Sequence, residues 1–325
     1  MKSLLQKYIG IARRSEIQLP CDDKQGGNME WKSPDINLFK TGIYNRSGMG
    51  SDTALANIVL LGDKYDTEIA VSDGVLYRYY QGKTPNRRGY GFPLSAGEFD
   101  LKHSLDILLE DSVKRGVPFE FCLCDEDQKA AIDSIMNASW DTTVDDNDYI
   151  YSRERLASLS GRKLQKKRNH LNHYRHTYPD SIYEEINDSN KGDALYVASG
   201  WLEEREKPSE AEILEHESIK LALDNRESMG MFGGILYVCG NPVAMTLASA
   251  ISERCVDVHF EKAIGEYAVN GAFAAINNSF ASSEAASSYE FFNREEDMGI
   301  EGIRRAKETY DPVIRLAKYY GKIGT

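Results

Sequence analysis

The sequence predicts a mixed α/β protein (α+β, mixed sheets) built from two tandem domains that share one order of elements. Two observations carry that expectation. Short apolar runs bounded by Gly, Asn and Asp read as strands, and they alternate with longer stretches whose apolar residues recur every three or four positions, as on helices. The order hairpin, strand, helix, strand, helix is met twice along the 325 residues. A chain of that length, 41% hydrophobic, is long for one domain and apolar enough to fill two cores. The division is expected at 150, with an N-terminal unit over 1–150 and a C-terminal unit over 151–325 that includes a basic connecting helix.

A helix is expected at 4–11, followed by turn-rich sequence up to residue 50. Residues 68–71 and 75–80 flank Asp73-Gly74, a pair suited to the positive φ of a tight hairpin turn. A strand at 90–94 follows. Residues 100–115 read as a helix, with Leu101, Leu105, Leu108 and Leu109 on one side and Gly116 as its stop. A strand at 118–124 and a helix at 126–136 complete the first copy. The second copy comprises a hairpin (235–238 and 243–251), a strand at 256–261, a helix marked by Ala272, Phe273, Ile276 and Phe280, a strand at 289–292 and a helix at 300–310.

Between the copies lies an acidic stretch, 141–148, expected as an exposed linker, and then a basic one. Residues 155–179 hold seven Lys or Arg, three His and no acid. The chain as a whole has 39 basic and 51 acidic residues, a net charge of −12, which opposes nonspecific attraction to DNA or anionic lipid. A phosphate-bearing partner therefore needs a local patch, and Lys163, Lys167, Arg168 and Asn169 of the basic helix are its candidates. His170, His173 and His176 drift around that helix, so no metal site is expected there. The five cysteines are scattered without a C-x-x-C spacing, which argues against a disulfide framework or a zinc ribbon. No apolar run approaches the ~20 residues of a bilayer span, and a cytoplasmic protein without a transmembrane segment is expected.

Chemistry concentrates at 289–312. A short apolar strand runs into Asn293, Arg294, Glu295, Glu296 and Asp297, which precede a helix. On the strand at 256–261, His259 and Glu261 alternate and should share a face, with Lys262 next. Enzyme chemistry at such a cluster needs a base and groups that hold an anion. His259, Glu261, Asn293 and Glu295 are the catalytic candidates; Lys262, Gly271, Arg294, Arg304 and Lys307 are candidates for donor binding.

Three blocks together carry a resemblance: G-R-K-L-Q-K-K-R-N-H-L-N from Gly161, V-D-V-H-F-E-K-A from Val256, and F-N-R-E-E-D-M-G-I-E-G-I-R-R-A-K-E-T-Y-D-P from Phe292. They resemble the C-terminal-domain family of phosphatidylglycerol lysyltransferases. That resemblance implies two tandem GNAT-like domains, the fold of GCN5-related N-acetyltransferases. It also implies an acyltransferase with no permanently bound cofactor, using acyl-CoA (coenzyme A) or aminoacyl-tRNA as co-substrate and a small-molecule or lipid-headgroup acceptor. The acetyltransferase pyrophosphate loop is missing, and Gly265 to Gly271 stand in its place; Gly271 keeps room for a close phosphate. The competing expectation is a noncatalytic module that binds an anionic ligand through the basic helix.

Overall fold

A computed structural model describes residues 29–45, 48–83 and 87–324. The helix expected at 4–11 lies outside them. The first sheet contains β1 (Thr67–Ser72), β2 (Val75–Gln81), β3 (Arg88–Tyr90), β4 (Leu94–Ser95), β5 (Glu120–Cys124) and β6 (Ala138–Thr142). The second contains β7 (Asp148–Ser152), β8 (Ile182–Glu185), β9 (Phe232–Val238), β10 (Asn241–Ala250), β11 (Cys255–Ala263), β12 (Phe291–Asn293) and β13 (Ile314–Leu316). The last strand, β14 (Tyr319–Ile323), returns to the first sheet.

Both sheets repeat one pattern of pairing. A hairpin, β1–β2 or β9–β10, is followed by an antiparallel strand, β3 or β11. A parallel strand comes next, β5 or β12. A helix crosses between those parallel partners, α3 (Leu101–Arg115) in the first half and α10 (Ala272–Ala281) in the second. The two halves then exchange strands. β14 inserts between β5 and β6, and β7 inserts between β12 and β13, every contact antiparallel. The division expected at 150 is therefore corrected. It falls inside β7, and the C-terminal segment belongs to the sheet of the other half, because each sheet is completed only by a strand of its partner.

The remaining helices are α1 (Leu55–Leu60), α2 (Gly62–Tyr65), α4 (Glu126–Asp133), α5 (Arg153–Ser158), α6 (Gln165–Thr177), α7 (Lys191–Glu203), α8 (Glu210–Asp224), α9 (Gly265–Val269) and α11 (Glu301–Glu308). Helix α3 begins on the Asp100 side chain, which accepts from the His103 N–H, and ends at Gly116 with φ 67°, as its sequence signals predict. The basic stretch is broken in two. Leu159 adopts φ 46° and Gly161 φ 87°, so α5 and α6 are separate helices joined by a left-handed turn.

One face of the second sheet carries α7, and the apolar residues there merge with α1, α8 and the β1–β2 hairpin into a core shared by both halves. The opposite face packs α10, and α6 lies against α10. Gly271, which caps α10 with φ 102°, would bring an added Cβ to 2.6 Å from the His170 carbonyl oxygen. Its place is the close contact of α6 with α10, and a phosphate has no room there. Gly271→Ala is expected to lower stability by about 1–3 kcal/mol through backbone strain and displacement of α6. Urea unfolding checks this, and an unchanged midpoint would contradict it. Among the described residues no helix is long and apolar enough to cross a membrane.

Candidate active site at the junction of the halves

The site begins with a β-bulge. Leu247 pairs with Phe260 and Ala248 with Val258, so His259 is an extra residue in β11 and strict alternation fails there. Val258 packs in the core beneath α10, and Glu261 accepts from Asn277 of α10. His259, Phe260 and Lys262 instead face a cavity of about 840 Å³ on the α7 and α8 side, lined also by Asn57, Trp201 and Glu295. The expectation that His259 and Glu261 share a face is thus corrected: the inserted residue places them on opposite faces of the sheet.

Glu295 enters the cavity from the loop after β12. Its backbone is left-handed, φ 57°, an uncommon state for a residue with a side chain. Several contacts hold it there. The Glu295 N–H donates to Asn293 Oδ1 at 2.7 Å, and Lys307 Nζ donates to the carbonyls of Glu295 and Glu296. Neighbouring side chains are engaged elsewhere. Asn293 donates to Met49 O and to Asp148 Oδ2, each at 2.7 Å, and Glu296 pairs with Arg87 at 2.8 Å. Asp297 accepts from the Tyr149 hydroxyl at 2.6 Å and pairs with Arg304, which also reaches Asp145. Asn293, expected as catalytic, and Arg304 and Lys307, expected to hold the donor, are engaged in building the loop, and none of them lines the cavity.

His259 lies behind Glu295. Its Nε2 is 2.8 Å from Ser249 Oγ, and its Nδ1 is 3.6 Å from Asp257 Oδ2 and 3.5 Å from Glu295 Oε1. Its side chain is only 3% exposed, against 24% for Glu295, so Glu295 is the group that meets a molecule in the cavity. Asp257 is wholly buried. Burial first, and then the charges of Glu295 and Asp148, push its carboxyl well above the usual range. The Asn57 amide, from the first half, reaches both carboxylates at 3.3–3.4 Å. Lys262 pairs with Glu215 at 2.7 Å and sits 3.6 Å from the centre of the Trp201 ring, with Arg205 also over that ring. Burial lowers the Lys262 amine, and Glu215 offsets part of that shift.

A family pattern matches residues 44–321, described as "Phosphatidylglycerol lysyltransferase, C-terminal". The chain belongs to the phosphatidylglycerol lysyltransferase C-terminal family. A conserved protein of unknown function from Bacteroides thetaiotaomicron is 32% identical, with 91% of this chain and 100% of that one covered at a TM-score of 0.80. The structure of L-PGS from Bacillus licheniformis shares the fold at 14% identity and a TM-score of 0.60, over 92% of this chain and 94% of that one. An uncharacterized protein of Mycoplasmoides gallisepticum is 26% identical over 185 residues, 54% of this chain and 56% of that protein. The match thus spans little more than half the length of that relative.

On the opposite face of the sheet this lysyltransferase-family chain carries a second polar cluster. Arg294 pairs with Glu261 at 3.1–3.2 Å and lies over the Tyr310 ring. Lys167 of α6 sits 3.9 Å from the centre of the same ring. Burial, then the nearby Arg294 charge, pushes its amine down to about 8. Labelled methyl groups on the lysines are expected to show one NMR titration near pH 8 that disappears in Lys167→Met, while exposed lysines titrate at about 10.4. A Lys167 midpoint above 10 would refute the burial argument.

The basic helix does not face the cavity. Lys163 pairs with Asp311 at 2.9 Å, Arg168 donates to the carbonyls of Leu159 and Gly161, and Asn169 is exposed on α6. None of them lines the cavity, because α6 and the cavity lie on opposite sides of the sheet. Of the residues expected from sequence, His259, Glu295 and Lys262 are brought together, while Glu261, Arg294 and Lys167 form the separate cluster. Sequence reasoning missed Asn57 and Asp257. Each is a polar residue inside an apolar run, A-N-I-V-L and C-V-D-V, and buried polar groups in such runs need a partner.

Proposed function

We propose that the chain is an acyltransferase that moves an acyl or aminoacyl group from a phosphate-bearing donor, acyl-CoA or aminoacyl-tRNA, to an amine or hydroxyl acceptor in the 840 Å³ cavity. One observation supports it above the others. Among the described residues Glu295 makes no ion pair with Lys or Arg, yet it is held in a strained backbone state with its carboxylate at the cavity wall. A carboxylate so placed is a general base.

The reaction follows from the lining. Glu295 takes a proton from the acceptor nitrogen or oxygen as that atom bonds to the acyl carbon. The bond from the acyl carbon to the donor's oxygen or sulfur then breaks, and the proton passes to that leaving atom. Lys262, whose ammonium keeps hydrogens beyond its pair with Glu215, is a hydrogen-bond donor for the developing oxyanion. His259, with Nε2 anchored on Ser249 Oγ and Nδ1 3.5 Å from Glu295 Oε1, is a positioning residue for Glu295. Glu215 and Glu212 are paired with Lys262 and Arg205, but six carboxylates line the cavity against three Lys or Arg, an excess that favours a group carrying an ammonium, so an aminoacyl ester suits the lining better than an uncharged acyl chain.

The test supplies purified protein with labelled aminoacyl-tRNA or labelled acetyl-CoA, in the presence of phosphatidylglycerol vesicles or a mixture of small amines. Transfer of label into the lipid or amine fraction supports the reading. If neither donor loses label faster with the protein than without it, the reading fails.

A further inference from the structure

We propose that Asp257, His259 and Glu295 bind one divalent transition-metal ion of the zinc type, with a fourth position open to the cavity. Three side chains on two separate elements offer one ligand atom each, and these atoms lie within 4.8 Å of one another. The contacts to His259 Nδ1, 3.5 and 3.6 Å, are too long for good hydrogen bonds. They match an ion instead. Ligand atoms held about 2.1 Å from a tetrahedral zinc stand roughly 3.4 Å apart. Glu295 is partly exposed and can close the remaining gap.

An independent observation is the unmet demand of the carboxylates. Asp257 is fully buried and its Oδ1 has no hydrogen-bond partner. The Asn57 amide has two hydrogens for three acceptors, Ser51 O, Asp257 Oδ2 and Glu295 Oε1. Nearby charges are spoken for. Asp148 has Lys318 and Glu296 has Arg87 at ion-pair distance, whereas among the described residues His259 alone comes that close to Asp257 and Glu295, with Lys318 and Lys307 farther off. A divalent ion neutralises both.

The surroundings also suit a ligand set. The second ring nitrogen of His259 meets Ser249 Oγ at 2.8 Å, which fixes the ring orientation and leaves Nδ1 free for a metal. Glu295 is pre-set by Asn293 and Lys307. One imidazole with two carboxylates, in a three-ligand site with an open position, fits zinc better than magnesium, which prefers six oxygens. Glu295 is the base of the proposed transfer in metal-free protein; with an ion bound its carboxylate is a ligand, and the ion would act as a Lewis acid toward a carbonyl in the cavity.

The full chain, stripped with chelator, is titrated with ZnCl2 by calorimetry, with CoCl2 by visible absorption, and with MgCl2 as a comparison. One equivalent of zinc, a four-coordinate cobalt spectrum and an affinity at least tenfold weaker in Glu295→Gln are expected, with magnesium ineffective. His173→Ala, on the exposed surface of α6, should leave uptake unchanged. No uptake, equal affinity in wild type and Glu295→Gln, or loss of uptake in His173→Ala overturns the assignment. The readout is binding, so it is separate from the transfer reaction: zinc uptake without transfer upholds this site and removes the proposed activity, and transfer without zinc uptake does the reverse.

Discussion

Lys318→Met is expected to destabilise the protein by about 3–5 kcal/mol, the scale for removing one partner of a buried ion pair. The Lys318 ammonium is 2% exposed, donates to Asp52 Oδ1 and lies 3.2 Å from Asp148 Oδ2. Asp148 opens β7 and Lys318 immediately precedes β14, so this one cluster pins both exchanged strands. Without the ammonium, Asp148 retains hydrogen bonds from Ser51 and Asn293 but loses its cation, and Asp52 retains only Arg78. The pH dependence follows from the direction of each shift. Burial opposes the Lys318 charge, but Asp148 and Asp52 more than offset it and hold the amine above its usual value. That contribution is complete below about pH 10 and is lost only as pH rises through the higher folded value. Burial likewise opposes the Asp52 charge, while Lys318 and Arg78 lower its carboxyl, so its contribution is present above about pH 4 and lost as pH falls further. In Lys318→Met the uncompensated carboxylates are relieved by protonation, so the deficit should shrink as pH drops from 7 toward 4. Urea unfolding of both proteins across that range measures it. Equal midpoints at pH 7, or a deficit that grows on acidification, would contradict the argument.

That cluster also marks the limit of what the sequence reveals about the fold. The repeated order of elements was legible because each strand and helix carries its own period and punctuation, from Asp73-Gly74 to Gly116. The strand exchange was not, because β13 and β14 are only Ile314–Leu316 and Tyr319–Ile323, too short for a pattern, and their partners are distant in sequence. Helices α7 and α8 escaped for a different reason. Their apolar residues do not fall on one face, since Tyr196 of α7 and Ile213 and Leu221 of α8 are exposed, and what fixes them is the core they share with α1.

The site divides in the same way. Lys262, His259 and Glu295 were legible as polar residues at strand ends, since a strand that stops at a run of charges presents them at a sheet edge. Which face each occupies was not, because one inserted residue in β11 moves Glu261 to the far side. The basic helix misled for an electrostatic reason. Its charge is a property of composition, but its partners, Asp311 and the carbonyls near Gly161, are assigned only by packing against α10.

Those two faces make the second large prediction discriminating. Glu295→Gln is expected to lower kcat for acyl transfer by about 10²–10⁴-fold, the usual contribution of a positioned general base, with KM little changed because size and hydrogen-bonding shape are kept. Its melting temperature should move by only a few degrees, since Glu295 is partly exposed and makes no ion pair with Lys or Arg among the described residues. Glu261→Gln provides the contrast. Alternation along the strand would make Glu261 an equal neighbour of the acceptor, whereas the bulge directs it to Arg294 and Asn277 beneath α10. Its loss should therefore appear in stability, through the unpaired Arg294 guanidinium, and far less in kcat. Steady-state transfer with labelled donor, read beside thermal unfolding of the same preparations, separates the two. A Glu295→Gln enzyme within tenfold of wild type, or a Glu261→Gln enzyme as slow as Glu295→Gln, would move the base to the other face of the sheet.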